Sequence, residues 1–146
     1  MKTIALRFSE NFSPPIGTIA AHQQLIDSKG YVWYGKLGTP ISAKVADEIM
    51  QNEDPKILLI SSGKQDRYWA HITDVSRSLP PIKDIPEYYG YMSDKFKCWF
   101  KVKSFEIAPK GIMAECHIAS SKVVLSQTSK HSMSPYFIII YEEKTS

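Results

Sequence analysis

Apolar and polar residues alternate at period two in Lys95-Phe96-Lys97-Cys98-Trp99-Phe100-Lys101-Val102-Lys103. The alternation predicts a strand with Phe96, Cys98, Phe100 and Val102 on one face and four lysines with Trp99 on the other. Ile57-Leu58-Leu59-Ile60 is unbroken apolar and predicts a strand from Lys56 to Ser61. Gly63-Lys64-Gln65-Asp66 then reads as a hairpin turn, and Tyr68 to Val75, with Trp69, as the returning strand. Thr3 to Phe8, Tyr31 to Tyr34 and Tyr136 to Tyr141 predict three more short strands. Helical spacing marks two segments. Thr18 is placed to cap a helix through Ile19, His22, Leu25 and Ile26 that stops at Gly30, and Ser42 opens a second through Val45, Ala46, Ile49 and Met50.

Between these elements lie loops whose composition argues against regular pairing. Ser9 to Gly17 carries Asn11, Pro14 and Pro15, and Leu79 to Gly90 carries three prolines and two tyrosines, which predicts a long ordered loop. Pro109-Lys110-Gly111 is a turn; Met113 to Ile118 follows it, and Ser121 to Gln127 is ambiguous. About six strands with two or three flanking helices give an α+β domain built on a small curved sheet or barrel. The 146 residues are expected to form one domain over 1–146. No apolar run approaches the roughly eighteen residues of a membrane span, and Arg7 interrupts any signal-peptide core, so a cytoplasmic protein is expected. Cys98 and Cys116 are expected to be buried free thiols.

The net charge of +3 says little by itself, but its distribution does. Five lysines lie between Lys95 and Lys110 against the single acid Glu106, while Asp47, Glu48, Glu53 and Asp54 cluster elsewhere. A basic strand bearing Lys97 and Lys101, joined by Lys64 and Arg67 at the hairpin turn, is a candidate for holding phosphates. The alternative is that these residues solvate an exposed edge. Trp33, in Gly30-Tyr31-Val32-Trp33-Tyr34-Gly35, is an aromatic framed by two glycines and a candidate wall for a flat ligand.

In order, these motifs resemble the YTH and EVE domains of the PUA-like group, small barrels that bind modified bases in RNA or DNA. Ala5-Leu6-Arg7-Phe8-Ser9-Glu10-Asn11 looks like the opening strand and its polar exit. Tyr31-Val32-Trp33-Tyr34 is similar to the segment that supplies the first wall of an aromatic cage. Ile57 to Ser62, the turn and Tyr68 to Ile72 resemble the central hairpin, and Phe96 to Phe100 the tryptophan-bearing strand after it. The likeness spans Thr3 to about Pro109. Where the family carries a later cage tryptophan, this chain offers Tyr88, Tyr89 and Tyr91.

The resemblance implies a binding module that encloses an extruded, modified base, methylated in this reading, from single-stranded or flipped DNA or RNA. Stacking and apolar enclosure favour such a base once it leaves the duplex. Trp33 would supply one wall, Trp69 or a ring of the Tyr88-to-Tyr91 loop the other, with Tyr34 and Tyr89 among the base-binding residues, and Ser9 and Asn11 would read the base edge. Ordinary core packing is the competing expectation for the indoles, and backbone capping for Ser9 and Asn11. The four histidines are dispersed, and neither a zinc spacing nor a nucleophile elbow nor a phosphate-binding glycine loop is visible, so no cofactor and no metal are expected. Catalysis is left open, leaning against: the rivals are a small hydrolase using Lys64, Tyr68 or Glu87, and a protein-interaction module. A separately encoded effector protein is a further possible partner.

Overall fold

The computed structural model describes residues 1–8, 14–61 and 66–142, except for the side chain of Tyr91. Seven strands are described: β1 (Lys2–Arg7), β2 (Val32–Leu37), β3 (Lys56–Ile60), β4 (Tyr68–Ser76), β5 (Phe96–Ile107), β6 (His117–Ile118) and β7 (Tyr136–Ile140). They form one mixed sheet in the order β2-β5-β4-β3-β1-β7-β6, in which only β1 and β3 run parallel. The unbroken apolar run sits in the middle: Ile57, Leu58 and Leu59 are fully buried, as a strand covered on both faces requires. The sheet curls without closing. Lys36 of edge strand β2 places its Nζ 4.9 Å from the ring centre of Tyr136 in β7, five positions away in the strand order. This leaves a seam between β2 and the β1–β7 pair.

Helix α1 (Thr18–Lys29) ends at Gly30, whose left-handed φ of 89° would strain an L side chain, and helix α2 (Ala43–Met50) begins where Ser42 Oγ accepts the Val45 amide. Both helices pack against one core cluster built around Ile4, Leu6, Val32, Tyr34, Phe100 and Val102. The other face is covered in two patches. At the β1–β7 end, α3 (Ile112–Glu115) and α4 (Leu125–His131) close over Leu58, Ile60, Trp69 and Phe137. At the β2–β5 end the cover is the segment 82–95, which coils into two 3₁₀ stretches, Ile82–Asp84 and Glu87–Lys95. Lys29 at the end of α1 fastens this segment, with its Nζ 2.5 Å from Asp84 Oδ1 and 2.9 Å from the Lys83 carbonyl.

Three expectations are corrected here. Trp99 does not share an open lysine face: it is fully buried beneath Ile85, Tyr89 and Met92 of the 3₁₀ segment. Phe96 does not lie with Cys98. Lys36 pairs with Cys98 but Leu37 pairs with Phe96, so β5 bulges by one residue at Lys97 and turns Phe96 onto the Trp99 face. Finally, Met113 to Ile118 splits into the short α3 and the two-residue β6, and the ambiguous stretch leads into α4. Cys98 and Cys116 are buried and free, and no helix among the described residues is long and apolar enough to cross a membrane.

Candidate functional site

The seam holds a cavity of about 240 Å³. Its wall is aromatic because two strands and the 3₁₀ segment meet there: Tyr34 comes from β2, Phe96 from the start of β5 beside its bulge, and Tyr88, Tyr89 and Met92 from the 3₁₀ segment. Leu37, 44% exposed, and the half-buried Tyr88 leave the mouth apolar and open to solvent. Opposite stand Arg7 and Phe8 at the exit of β1, Thr18 at the start of α1, and Lys36. Gly35 makes the packing possible. A Cβ there would lie 2.7 Å from Phe96 Cδ1, 2.8 Å from Phe96 Cγ and 3.0 Å from Trp99 Cζ3, so the ring closing the cavity needs a residue with no side chain.

A buried polar chain fixes Tyr89. His22 is fully buried, and its Nδ1 lies 2.8 Å from the Thr18 carbonyl, which can only accept; Nδ1 therefore carries the proton. In the neutral ring Nε2 must then accept, so the Tyr89 hydroxyl donates to it at 3.0 Å, while Tyr89 receives the Gly35 amide at 3.4 Å. Burial pushes the His22 imidazolium down to about 4, against the smaller opposing effect of Thr18, and burial pushes the Tyr89 phenol well up. Both groups thus stay neutral around pH 7, and the wall of the cavity carries no charge on this side. His22 also stacks against Tyr34 at 4.8 Å between ring centres and meets Tyr89 edge-on at 5.4 Å.

The polar side of the cavity is cationic and rigid. Lys36 Nζ donates to the Thr39 carbonyl at 2.6 Å and to the Leu37 carbonyl at 3.1 Å, and burial lowers its proton affinity. Arg7 donates from Nε to the Ser134 carbonyl at 2.9 Å and from Nη2 to the Ser129 and Ser132 carbonyls at 2.8 and 2.9 Å. These carbonyls satisfy N–H groups without neutralising either charge. Such a site can enclose one flat, largely apolar heterocycle and attract an anionic group at its edge.

The structure brings Tyr34 and Tyr89 together at this cavity, both nearly fully buried. Trp33 is half-buried on the face opposite Tyr34; it packs against the Trp99 cluster and does not line the cavity. Lys101, its direct cross-strand neighbour, places Nζ 4.4 Å from the Tyr31 ring centre and 6.0 Å from that of Trp33. Trp69 is elsewhere, 2% exposed, stacked on Tyr141 at 5.3 Å and covered by Lys56, so the structure does not place it opposite Trp33 or Tyr34. Lys97 and Lys103 are exposed and Lys101 is half-buried, as alternation predicts. Arg67 precedes Tyr68, which pairs with Ile107, so it stands at the opposite end of β5 from Lys97, ten residues back and about 30 Å away at the usual rise. Ser9, Asn11, Lys64 and the proposed hairpin turn lie outside the described residues. Of the residues considered for hydrolysis, Tyr68 and Glu87 line two different clefts, neither of them the seam cavity.

Sequence reasoning passed over Arg7, Gly35, Lys36 and Met92. Arg7 and Lys36 had a visible signal, since each is a charge set inside an otherwise apolar strand. Gly35 and Met92 depend on the bulge and on the 3₁₀ coil, which periodicity does not encode.

The family model described as Pua-like matches residues 4–144, nearly the whole chain, and the chain belongs to this family. Its domains generally bind nucleic acids. Searches of curated proteins and of solved structures return no match.

Proposed function

We propose that this chain is a single PUA-like module of the YTH/EVE kind that binds a modified, methyl-bearing base of DNA or RNA without transforming it. The observation that carries this reading is the small aromatic cavity in the seam of a PUA-like sheet. Drug-sized ligands occupy pockets of roughly 300–1,000 Å³, so about 240 Å³ suits a single heterocycle instead. Tyr34, Tyr89 and Phe96 form its floor, and Tyr88 and Leu37 enclose the base and its methyl group at the mouth. Ser9 directly follows Phe8 in the chain and Asn11 comes two residues later, and Phe8 lines the cavity, which supports a role for them in reading the base edge. The half-buried Trp33 beside Lys101 serves as an outer surface for a flanking base, and Lys97, Lys101 and Lys103 hold phosphates. Trp69 has a packing role only. A separately encoded effector would act on the strand so marked.

Titrating single-stranded oligonucleotides that differ only in one methylated base tests this. The modified strand should bind more tightly, and Tyr88→Ala should remove that preference, since stacking is worth about 1–3 kcal/mol per base. Equal binding of both strands by the wild-type protein would end the reading, and release of an altered base would make the protein a hydrolase.

A further inference from the structure

On the other side of Arg7 lies a second cavity, of about 290 Å³, that shares this residue with the aromatic one. Among the described residues that line it are three cationic side chains, Arg7, Arg67 and Lys130, together with Ser61, Ser126 and Ser129, and none of these described lining residues is acidic. It forms because β1 and β3 end side by side, with Arg7 paired to Ile60, and because α4 is drawn over these ends by the hydrogen bonds from Arg7 to the Ser129 and Ser132 carbonyls. Its lining has no aromatic ring among the described residues. Where the first cavity offers rings, this one offers charge and hydroxyls.

Two physical costs are visible in it. Like charges gathered in one crevice repel, and the carbonyls that receive the Arg7 N–H groups leave its charge in place. In addition, Arg67 Nε is buried with no hydrogen-bond partner among the described residues. A buried N–H of a charged group without an acceptor forfeits more than an ordinary hydrogen bond, and buried polar groups in folded proteins nearly always have a partner. An oxyanion removes both costs at once. Guanidinium groups match the oxygens of a tetrahedral phosphate in fork geometry, the ammonium supplies a point charge, and the Ser126 hydroxyl is of the type that donates to a remaining oxygen.

From this we infer that the crevice between Arg7, Arg67 and Lys130 is a phosphate-binding subsite. Its position across Arg7 from the aromatic cavity makes the ligand a phosphate of the strand whose base is enclosed next door, an assignment that rests on the base-binding reading. The subsite is separate from the lysines of β5, because Arg67 stands at the far end of that strand.

Inorganic phosphate and a short single-stranded oligonucleotide serve as probes, each titrated against the wild type and against Arg67→Gln and Lys130→Gln. Lys130 is exposed, so its replacement leaves folding intact. Inorganic phosphate should bind the wild type and raise its melting temperature, and each variant should weaken it about tenfold. The oligonucleotide should weaken in parallel, while the ratio between methylated and unmethylated strands stays unchanged in both variants. Wild-type affinity of both variants for both probes would overturn the subsite. Loss of inorganic phosphate alone, with the oligonucleotide unaffected, would keep the oxyanion chemistry and overturn its assignment to the strand. A wild type blind to methylation that still loses phosphate on Arg67→Gln would sink the base reading and leave the subsite standing.

Discussion

Two cavities meet at Arg7 and differ in what faces it. In the seam, Tyr34, Tyr88, Tyr89 and Phe96 surround an apolar space, and the buried His22–Tyr89 pair is held neutral. Across Arg7, the described residues bounding the space include three cations and three serines. The difference shows how one curled sheet divides its labour: discrimination of a heterocycle needs an uncharged, close-fitting wall, whereas grip on a strand needs charge and tolerates a loose fit. It also shows why the neutral side is the more fragile. Its shape depends on one absent side chain and one unprotonated ring.

Acid should break the neutral side first. His22 has a folded value of about 4 against an ordinary value of 6.5, so between these limits the unfolded chain binds more protons than the folded one and stability rises with pH. The contribution is fully present above pH 6.5 and is lost as pH falls toward 4, by about 3 kcal/mol. Denaturant unfolding measured across this range should show that slope in the wild type and lose most of it in His22→Gln. A wild type equally stable at pH 6.5 and pH 4 would refute the buried neutral histidine.

A smaller loss follows from filling the gap at position 35. Replacing a strand glycine by alanine ordinarily gains about 0.5–1 kcal/mol of backbone entropy. Here the new Cβ meets Phe96 at 2.7 Å, and overpacking of this kind costs about 1–3 kcal/mol, so the clash prevails. Gly35→Ala should unfold at lower denaturant and lose its preference for methylated strands, with inorganic phosphate binding retained. An equal loss for both ligands would abolish the distinction between the cavities.

The smallest effect belongs to the β5 lysines. Lys97→Gln and Lys101→Gln should each reduce the dependence of log affinity on log salt by about 0.7–0.9, for single-stranded and duplex contacts respectively, without altering base preference. Binding isotherms at several salt concentrations measure this, and an unchanged slope would assign those lysines to solvation alone.

Much of this arrangement was legible in the chain. Gly30 as a helix stop, Ser42 as a cap, the buried Ile57–Ile60 strand and the outward Lys97, Lys101 and Lys103 all follow from local chemistry or period, and the structure has each of them. Tyr34 and Tyr89 were expected at a base site, and they do line one cavity. The surroundings of the indoles were not legible, because they depend on what covers each ring. Trp99 is hidden by a 3₁₀ segment whose prolines read as a loop, and Trp69 is turned toward α3 and α4 by alternation from Tyr68. Neither the bulge at Lys97 nor the meeting of β2 with β7 leaves a trace in periodicity, because both arise from strand pairing across long stretches of sequence.

The most direct measurement is nuclear magnetic resonance of the protein with a methylated nucleoside carrying no phosphate. The account predicts magnetisation transfer between the nucleoside methyl group and the ring protons of Tyr34, Tyr88 and Phe96, with Trp33 and Trp69 unaffected. Transfer confined to Trp33, or none at saturating nucleoside, would contradict it.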